Sequence, residues 1–239
     1  MLDKIDLENI LFLDIETVPG CSSFDELEEE LKEMWLRKAE FLKKEEGQSN
    51  RDIYSRAGIF AEFGKIVCIS CGYFYFSKGE RKFRLKSFAS HNETELLEDF
   101  SILLKQHFNK PQHLLCAHNG KEFDFPYIVR RMIINNIDVP AIMDIVMKKP
   151  WEVQHLDTME LWKFGDYKNY TPLNLLAYVL EIESPKDDID GSMVHWVYWQ
   201  EKDLERITTY CSKDVITIAQ IILRYKKLNL LQQEEIIKL

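Results

Sequence analysis

Apolar residues enter this chain as short continuous runs near its start and at helical spacing further on. Ile10 to Leu13 form a run too short to span a membrane and too rich in β-favouring residues for a helix, so residues 9–15 are predicted as a strand entering a core. In FDELEEELKEMWLRKAEFLKKEE, Leu27, Leu31, Met34, Trp35 and Leu42 recur at helical spacing among charges. This is the pattern of an amphipathic helix, within a charged insertion at about 23–60. Gly58 and Gly64 bracket the return to extended structure in IVCISCGYFYF, and the SKGE turn leads into the alternating RKFRLKSFA as its hairpin partner.

His91 or Asn92 starts a predicted helix through about Phe108, with Leu96, Leu97, Phe100, Leu103 and Leu104 facing inward. HLLCAHNG reads as another buried strand, stopped by Asn119 and Gly120. Beyond it the pattern predicts a helix from about Phe123 to Asn136 and a strand near VQHLD. Helices at TMELWKF and TPLNLLAYVLEI follow, then a long one from Asp203 onward. Three sequential strands followed by alternating helices and strands predict one α/β domain over residues 1–239. Its mixed sheet would have five strands, flanked by helices.

Composition changes this picture little. No apolar stretch reaches the roughly 18 residues of a membrane span and no export leader is evident, so a soluble, cytoplasmic protein is expected. Five cysteines, an odd number and mostly among apolar neighbours, argue for free thiols. Cys68 and Cys71 have the spacing of a zinc or redox pair, but they lie inside a strand pattern with no second pair nearby and are expected in the core. A net charge of −9 would discourage a nucleic-acid ligand if it were evenly spread. It is not: residues 25–46 hold nine acids against five bases, while basic clusters occur at Arg81 to Lys86, at Arg130 and Arg131, and at Lys148 and Lys149.

The chemistry concentrates in three segments. In the first strand, alternation puts Asp14 and Glu16 on one face and Ile15 on the other, and the stop at Pro19 and Gly20 places the pair near the strand's C-terminal end, where open α/β sheets put ligands. Two carboxylates so close stay ionised only with a cation or strong donors between them, although a lone pair of this kind also suits a solvated turn. The second segment, AHNGKEFDFPYIVRR, carries Asp124 near a helix start, which capping alone would also favour. In the third, TTYCSKDVITIAQII, Tyr210 and Asp214 lie one turn apart on the flank of a stripe formed by Leu204, Ile207, Cys211, Val215, Ile218 and Ile222. Carboxylates suit Mg²⁺ or Mn²⁺, and a site holding two such ions performs phosphodiester displacement, with Tyr210 available to align or help deprotonate the attacking water.

DIET, NGKEFDFP and YCSKD resemble, in order and element type, the three exonuclease motifs of the DEDD superfamily on the ribonuclease H-like fold. The tyrosine four residues before the last aspartate is similar to the DEDDy branch; the DEDDh branch would have a histidine at the position of Thr209. Within that branch the chain most resembles the predicted 3′-5′ exonucleases related to the proofreading domain of family-B DNA polymerases. HLDTMELWKFGD and SPKDDIDGSMV resemble two further stretches of that group, and only residues 23–60 fall outside the similarity. The resemblance implies two divalent cations, Mg²⁺ or Mn²⁺. Asp14, Glu16 and Asp214 would hold one, and Asp14 would bridge to a second held by Asp124. It implies removal of mononucleotides from 3′ ends; we expect the substrate to be single-stranded DNA, with Asn119, Phe123, Thr17 and Lys186 as candidate contacts to the strand. Two alternatives stay open: the same chemistry on RNA, or a binding module that uses the charged insertion as a surface for a protein partner.

Other residues have competing readings. Asp157 could be a fifth acid near the metals, but with Glu160 three residues later it reads first as a helix cap. Asp187, Asp188 and Asp190 suit turn chemistry before Gly191, while the resemblance would have Lys186 and Ser192 touch the substrate. Asn119 either binds the terminal nucleotide or shapes a turn, and Phe123 and Phe125 either stack on a base or belong to the core. His118 and His155 lack a partner at ligand spacing, and HWVYW at 195–199 is expected to be packing rather than the edge of a nucleic-acid groove.

Overall fold

The computed structural model describes residues 2–149, 152–166, 170–183 and 189–239. Strand β1 (Ile10–Pro19) lies inside a six-stranded mixed sheet with β2 (Gly64–Ser77), β3 (Glu80–Ala89), β4 (Leu114–Ala117), β5 (Leu156–Asp157) and β6 (Ile236–Lys238), in the order β5-β4-β1-β2-β3-β6. β1 pairs antiparallel with β2 and parallel with β4; β2 and β3 are antiparallel, while β4/β5 and β3/β6 are parallel. This mixed α/β architecture, with helices on both faces, is compatible with a ribonuclease H-like fold.

Strand alternation sorts the two faces. Leu11, Leu13 and Ile15 join the core formed with Leu97 and Phe100 of α2 (Glu93–His107) and Phe125 and Ile128 of α3 (Asp124–Ile134). Ile10 and Phe12 point the other way, onto Val215, Ile218 and Ile222 of α7 (Leu204–Tyr225). Continuing that second face brings Asp14 and Glu16 to the α7 side. The same alternation separates Cys68 from Cys71, which lie in cores on opposite faces, because a spacing of three along a strand reverses the direction of the side chain. All five cysteines are free thiols.

The SKGE turn takes the backbone that a two-residue hairpin loop requires, with φ 53° at Lys78 and 82° at Gly79. Asn92 caps α2 by accepting from the Thr94 N–H at 3.1 Å. The short helices α4 (Thr158–Lys163), α5 (Leu173–Val179) and α6 (Val194–Trp196) lead to α7, with a π-helical turn at Val197–Glu201 before it. No helix among the described residues is long and apolar enough to cross a membrane.

Three expectations are corrected. The sheet has six strands rather than five: α7 ends at Tyr225, and the tail turns back so that Ile236–Lys238 pairs with β3. What draws the tail there is remote in sequence. The exposed edge of β3 has free backbone groups to satisfy, and Arg81 on it pairs with Glu235 at 3.1 Å, both side chains being mostly buried. The inserted helix α1 is also shorter than its apolar spacing suggests, spanning Glu29–Ala39, and Met34 faces solvent. Trp35 explains why: fully buried, it packs edge-on against Tyr54 at 5.6 Å and Phe63 at 5.4 Å, and its Nε1 donates to the Asn50 carbonyl at 2.9 Å. The chain must therefore fold back around Trp35 instead of continuing as helix, and it returns through a 3₁₀ stretch at Tyr54–Ile59. Finally, β1 runs on to Pro19, so Asp14 and Glu16 sit within the strand rather than at its end.

Candidate active site

Although β1 continues past the acids, its neighbour does not. The β1/β4 pairing stops at Phe12 and Cys116, while pairing with β2 persists to Pro19 across a bulge between Glu16 and Thr17. Asp14 and Glu16 thus lie where the parallel pair splays open, which is the ligand position the strand order favours. β4 leaves through a turn in which Asn119 adopts φ 61°, a left-handed conformation asparagine tolerates, and the chain enters α3 at Asp124. From the opposite side α7 supplies Tyr210 and Asp214.

These segments line one cleft of about 660 Å³, whose walls include Asp14, Glu16, Thr17, Asn119, Phe123, Asp124, Tyr210 and Asp214. The carboxylates are near enough to disturb one another. Asp14 is pushed well above the usual carboxylate range, first by burial and then by the charges of Glu16, Asp214 and Asp124. Glu16 is raised well above its ordinary value by burial and then by Asp214. Asp124, only 3% exposed, is raised to about 7, chiefly by burial and also by Asp157 and Asp214, against a hydrogen bond it accepts from the Ile15 backbone N–H. Burial, followed by the neighbouring carboxylates, also drives the Tyr210 phenol far upward, and its side chain is hydrogen-bonded to Asp214.

Such crowding is what a divalent cation relieves, and the oxygen donors of Asp14, Glu16, Asp124 and Asp214 suit Mg²⁺ or Mn²⁺. One potential ligand atom each from Asp14, Glu16 and Cys211 falls within 4.8 Å of the others. The Cys211 thiol is pushed well up, first by burial, so it keeps its proton and donates to the Asp14 backbone carbonyl at 3.3 Å. It braces the strand beneath the acids.

Asp157 is the predicted cap of α4, accepting from the Met159 N–H at 3.0 Å and the Glu160 N–H at 3.2 Å. Its carboxylate also accepts from the backbone N–H groups of Asn119 at 3.0 Å and Lys121 at 3.1 Å. The acid that sequence alone offers as a cap therefore also holds the turn leading to Asp124. Asn119 shapes that turn, and its buried side-chain oxygen lacks a hydrogen-bond partner at the cleft wall. Phe123 is half-buried against Tyr127, with ring centres 5.3 Å apart. Phe125 is 1% exposed and packs edge-on against His155 at 5.4 Å, so of its two readings the core one holds.

His118 bridges the Thr158 hydroxyl at 2.8 Å and the Thr171 carbonyl at 2.9 Å. His155 is lowered to about 4 by burial; its Nδ1 accepts from the Leu115 N–H at 3.2 Å and its Nε2 donates to the Ile142 carbonyl at 2.8 Å. In HWVYW, Val197 and Tyr198 are buried and Trp199 donates to the Pro19 carbonyl at 3.1 Å, so most of the cluster is packing, while His195 reaches the cleft. Asp190 accepts from the Ser192 N–H at 2.8 Å, a turn contact, and Ser192 lines the cleft. Lys186, Asp187 and Asp188 lie outside the described residues.

Sequence reading missed one wall of the cleft. Ser55, Arg56, Gly58 and Ile59 of the insertion line it. Gly58 is the available signal: a Cβ there would lie 3.0 Å from the Val18 carbonyl carbon, a tight contact with backbone, so glycine eases this close approach of the turn to β1.

The sequence pattern of a family described as predicted 3′-5′ exonuclease related to the exonuclease domain of PolB matches residues 59–237 of the 239. The match includes Asp124, Tyr210 and Asp214; Asp14 and Glu16 precede it and meet them only through the fold. No curated protein matches the chain. With well over half its length inside that match, the chain belongs to the family of predicted 3′-5′ exonucleases related to the exonuclease domain of PolB.

Proposed function

We propose that this protein removes nucleotides one at a time from the 3′ ends of single-stranded DNA, by metal-dependent hydrolysis of the terminal phosphodiester. The observation that carries this reading is the meeting of four carboxylates, from three segments far apart in sequence, in one cleft where burial and mutual repulsion raise Asp14, Glu16 and Asp124 above their ordinary range. A protein that used this cleft only to pack or to bind a neutral ligand would gain nothing from that repulsion.

Asp14, Glu16 and Asp214 would hold one divalent ion, and Asp14 with Asp124 a second. When bound, the two ions supply a nucleophile at neutral pH and stabilise the developing charge on the attacking and leaving oxygens. Tyr210 is held neutral by its surroundings and fixed by its hydrogen bond with Asp214, so it orients water at the cleft rather than acting as a strong base. Asn119 offers its unpaired side-chain oxygen as an acceptor for the terminal 3′-hydroxyl. Phe123 offers a ring face to the terminal base, and Thr17 a hydroxyl at the cleft wall. The same substrate role for Lys186 rests on the family resemblance alone. Water adds at phosphorus and the bond to the 3′-oxygen of the preceding nucleotide breaks. The products are a nucleoside 5′-monophosphate and a strand one residue shorter with a new 3′-hydroxyl.

The test is a 5′-labelled deoxyoligonucleotide incubated with Mg²⁺ or Mn²⁺, beside the ribo-oligonucleotide of the same sequence. Laddering from the 3′ end that needs the metal and disappears in Asp14→Ala and Asp214→Ala supports the reading. Equal loss of label with the native protein and both variants overturns it, and faster degradation of the ribo strand moves the substrate to RNA.

A further inference from the structure

We infer that Arg56, in the inserted segment, is a substrate-binding residue that takes the non-bridging oxygens of a phosphodiester in the strand entering the cleft. The inference rests on the nuclease reading and adds to it a residue that lies before the family match and outside the acid-bearing segments.

A polyanion approaching four carboxylates is repelled until something positive meets it. Among the described residues, Arg56 is the only lysine or arginine lining the cleft. It is exposed, and no carboxylate among the described residues pairs with it. Its guanidinium instead donates through one nitrogen to the backbone carbonyl of Lys43, which orients the planar fork and leaves its other N–H groups open. An oriented guanidinium with open donors matches the two non-bridging oxygens of a phosphodiester.

The segment carrying Arg56 is fixed to the catalytic strand. The Tyr127 hydroxyl donates to the Gly58 carbonyl at 2.7 Å, and Gly58 packs directly on the backbone of Val18 and Pro19. A Cβ at Gly64 would fall 2.4 Å from the Tyr127 hydroxyl and 2.9 Å from the Gly58 carbonyl oxygen, so this junction tolerates glycine on both sides. Arg56 is thereby positioned two residues from a point anchored to the strand that carries Asp14 and Glu16. A phosphate contact of this kind carries no base information, so its effect should be the same for every sequence.

The experiment measures binding of a labelled deoxyoligonucleotide with hydrolysis-resistant phosphorothioate linkages at its 3′ end, by fluorescence anisotropy across a salt series. Native protein, Arg56→Ala and Arg56→Lys are compared, with melting curves for each and with KM and kcat on the cleavable strand. The expected result is a loss of affinity of about tenfold in Arg56→Ala whatever the sequence, falling on KM rather than kcat. The slope of log affinity against log salt should become shallower by about 0.7. Arg56→Lys should keep the native slope. Unchanged affinity and slope in Arg56→Ala, with the native protein still cutting the strand, overturns this inference and leaves the nuclease reading intact. So does an equal loss in Arg56→Ala and Arg56→Lys accompanied by lowered melting, which would assign the residue to holding Lys43. Binding with the expected slope change but no cleavage supports Arg56 and removes the nuclease reading; no binding by the native protein overturns both.

Discussion

Asp124 accepts a hydrogen bond from the backbone N–H of Ile15, the residue between the two acids of β1. That bond ties the first turn of α3 to the strand that carries Asp14 and Glu16, and Asp157, clamping the preceding turn, raises the cost of a charge on Asp124. Asp124→Asn keeps an acceptor for Ile15 and removes the charge. We expect the metal-free variant to melt no lower than the native protein, while hydrolysis falls at least about a hundredfold, the several kcal/mol expected of a metal site. Calorimetry in EDTA paired with single-turnover cleavage checks both halves; a native rate in Asp124→Asn would remove it from the site.

The raised carboxylates also set the direction of pH dependence. Asp14, Glu16 and Asp124 all titrate higher folded than unfolded, Asp124 at about 7 against 3.8. Between those values Asp124 binds more proton in the folded protein than in the unfolded chain, so its contribution to metal-free stability is full below about 3.8 and is lost as pH rises through about 7, against an opposite contribution from His155, which is lowered to about 4. On the proposed reading Mg²⁺ or Mn²⁺ would compete with those protons, so added metal should raise the melting temperature clearly at pH 8 and little at pH 5. Melting curves with EDTA and with metal at both pH values test this. Because Asp124→Asn removes that carboxylate's share, the same pH dependence in Asp124→Asn and in the native metal-free protein would contradict the arrangement.

Tyr210 offers a cleaner separation of chemistry from metal binding. Tyr210→Phe keeps the ring that packs beside Ile207 and Cys211 and removes only the hydroxyl. The metal-induced rise in melting temperature should survive while the single-turnover rate drops about a hundredfold, within the range for a positioned proton-handling group. Loss of the thermal shift would instead make the phenol part of the metal site.

Trp35 governs the insertion. Truncating it to alanine removes a fully buried ring and its bond to Asn50 and should cost that region about 3 to 5 kcal/mol. Because Trp35 packs on Tyr54, which opens the segment carrying Arg56, the strand should bind more weakly while the sheet stays folded. Hydrogen exchange is the measurement: faster exchange confined to residues 24–60 fits, and equal acceleration in β1 to β3 would mean the insertion is not separable from the core.

Much of this was legible in the sequence because local periodicity carries it. Alternation puts Asp14 and Glu16 on one face, and one helical turn joins Tyr210 to Asp214. The backbone needs of Lys78 and Gly79 mark the hairpin, and Asp157 with Glu160 marks a cap. What failed were readings that extended a local pattern past its tertiary limit. The apolar spacing through Leu42 suggests helix, but burying Trp35 ends it at Ala39. The tail after Tyr225 has no period of its own and becomes a strand through partners such as Arg81 and Glu235, which are 154 positions apart.

The sequence by itself determined which residues share a face or a turn, and through its motifs the family to which they belong, since those relations depend on neighbours a few positions away. Only the tertiary structure decided that the acidic face of β1 is the one α7 covers and that β4 ends where the acids begin. It also put the Cys211 thiol under Asp14 and brought the turn with Arg56 against the same strand. Each of those relations is a distance between segments far apart along the chain, set by how the sheet and its helices close over a common core.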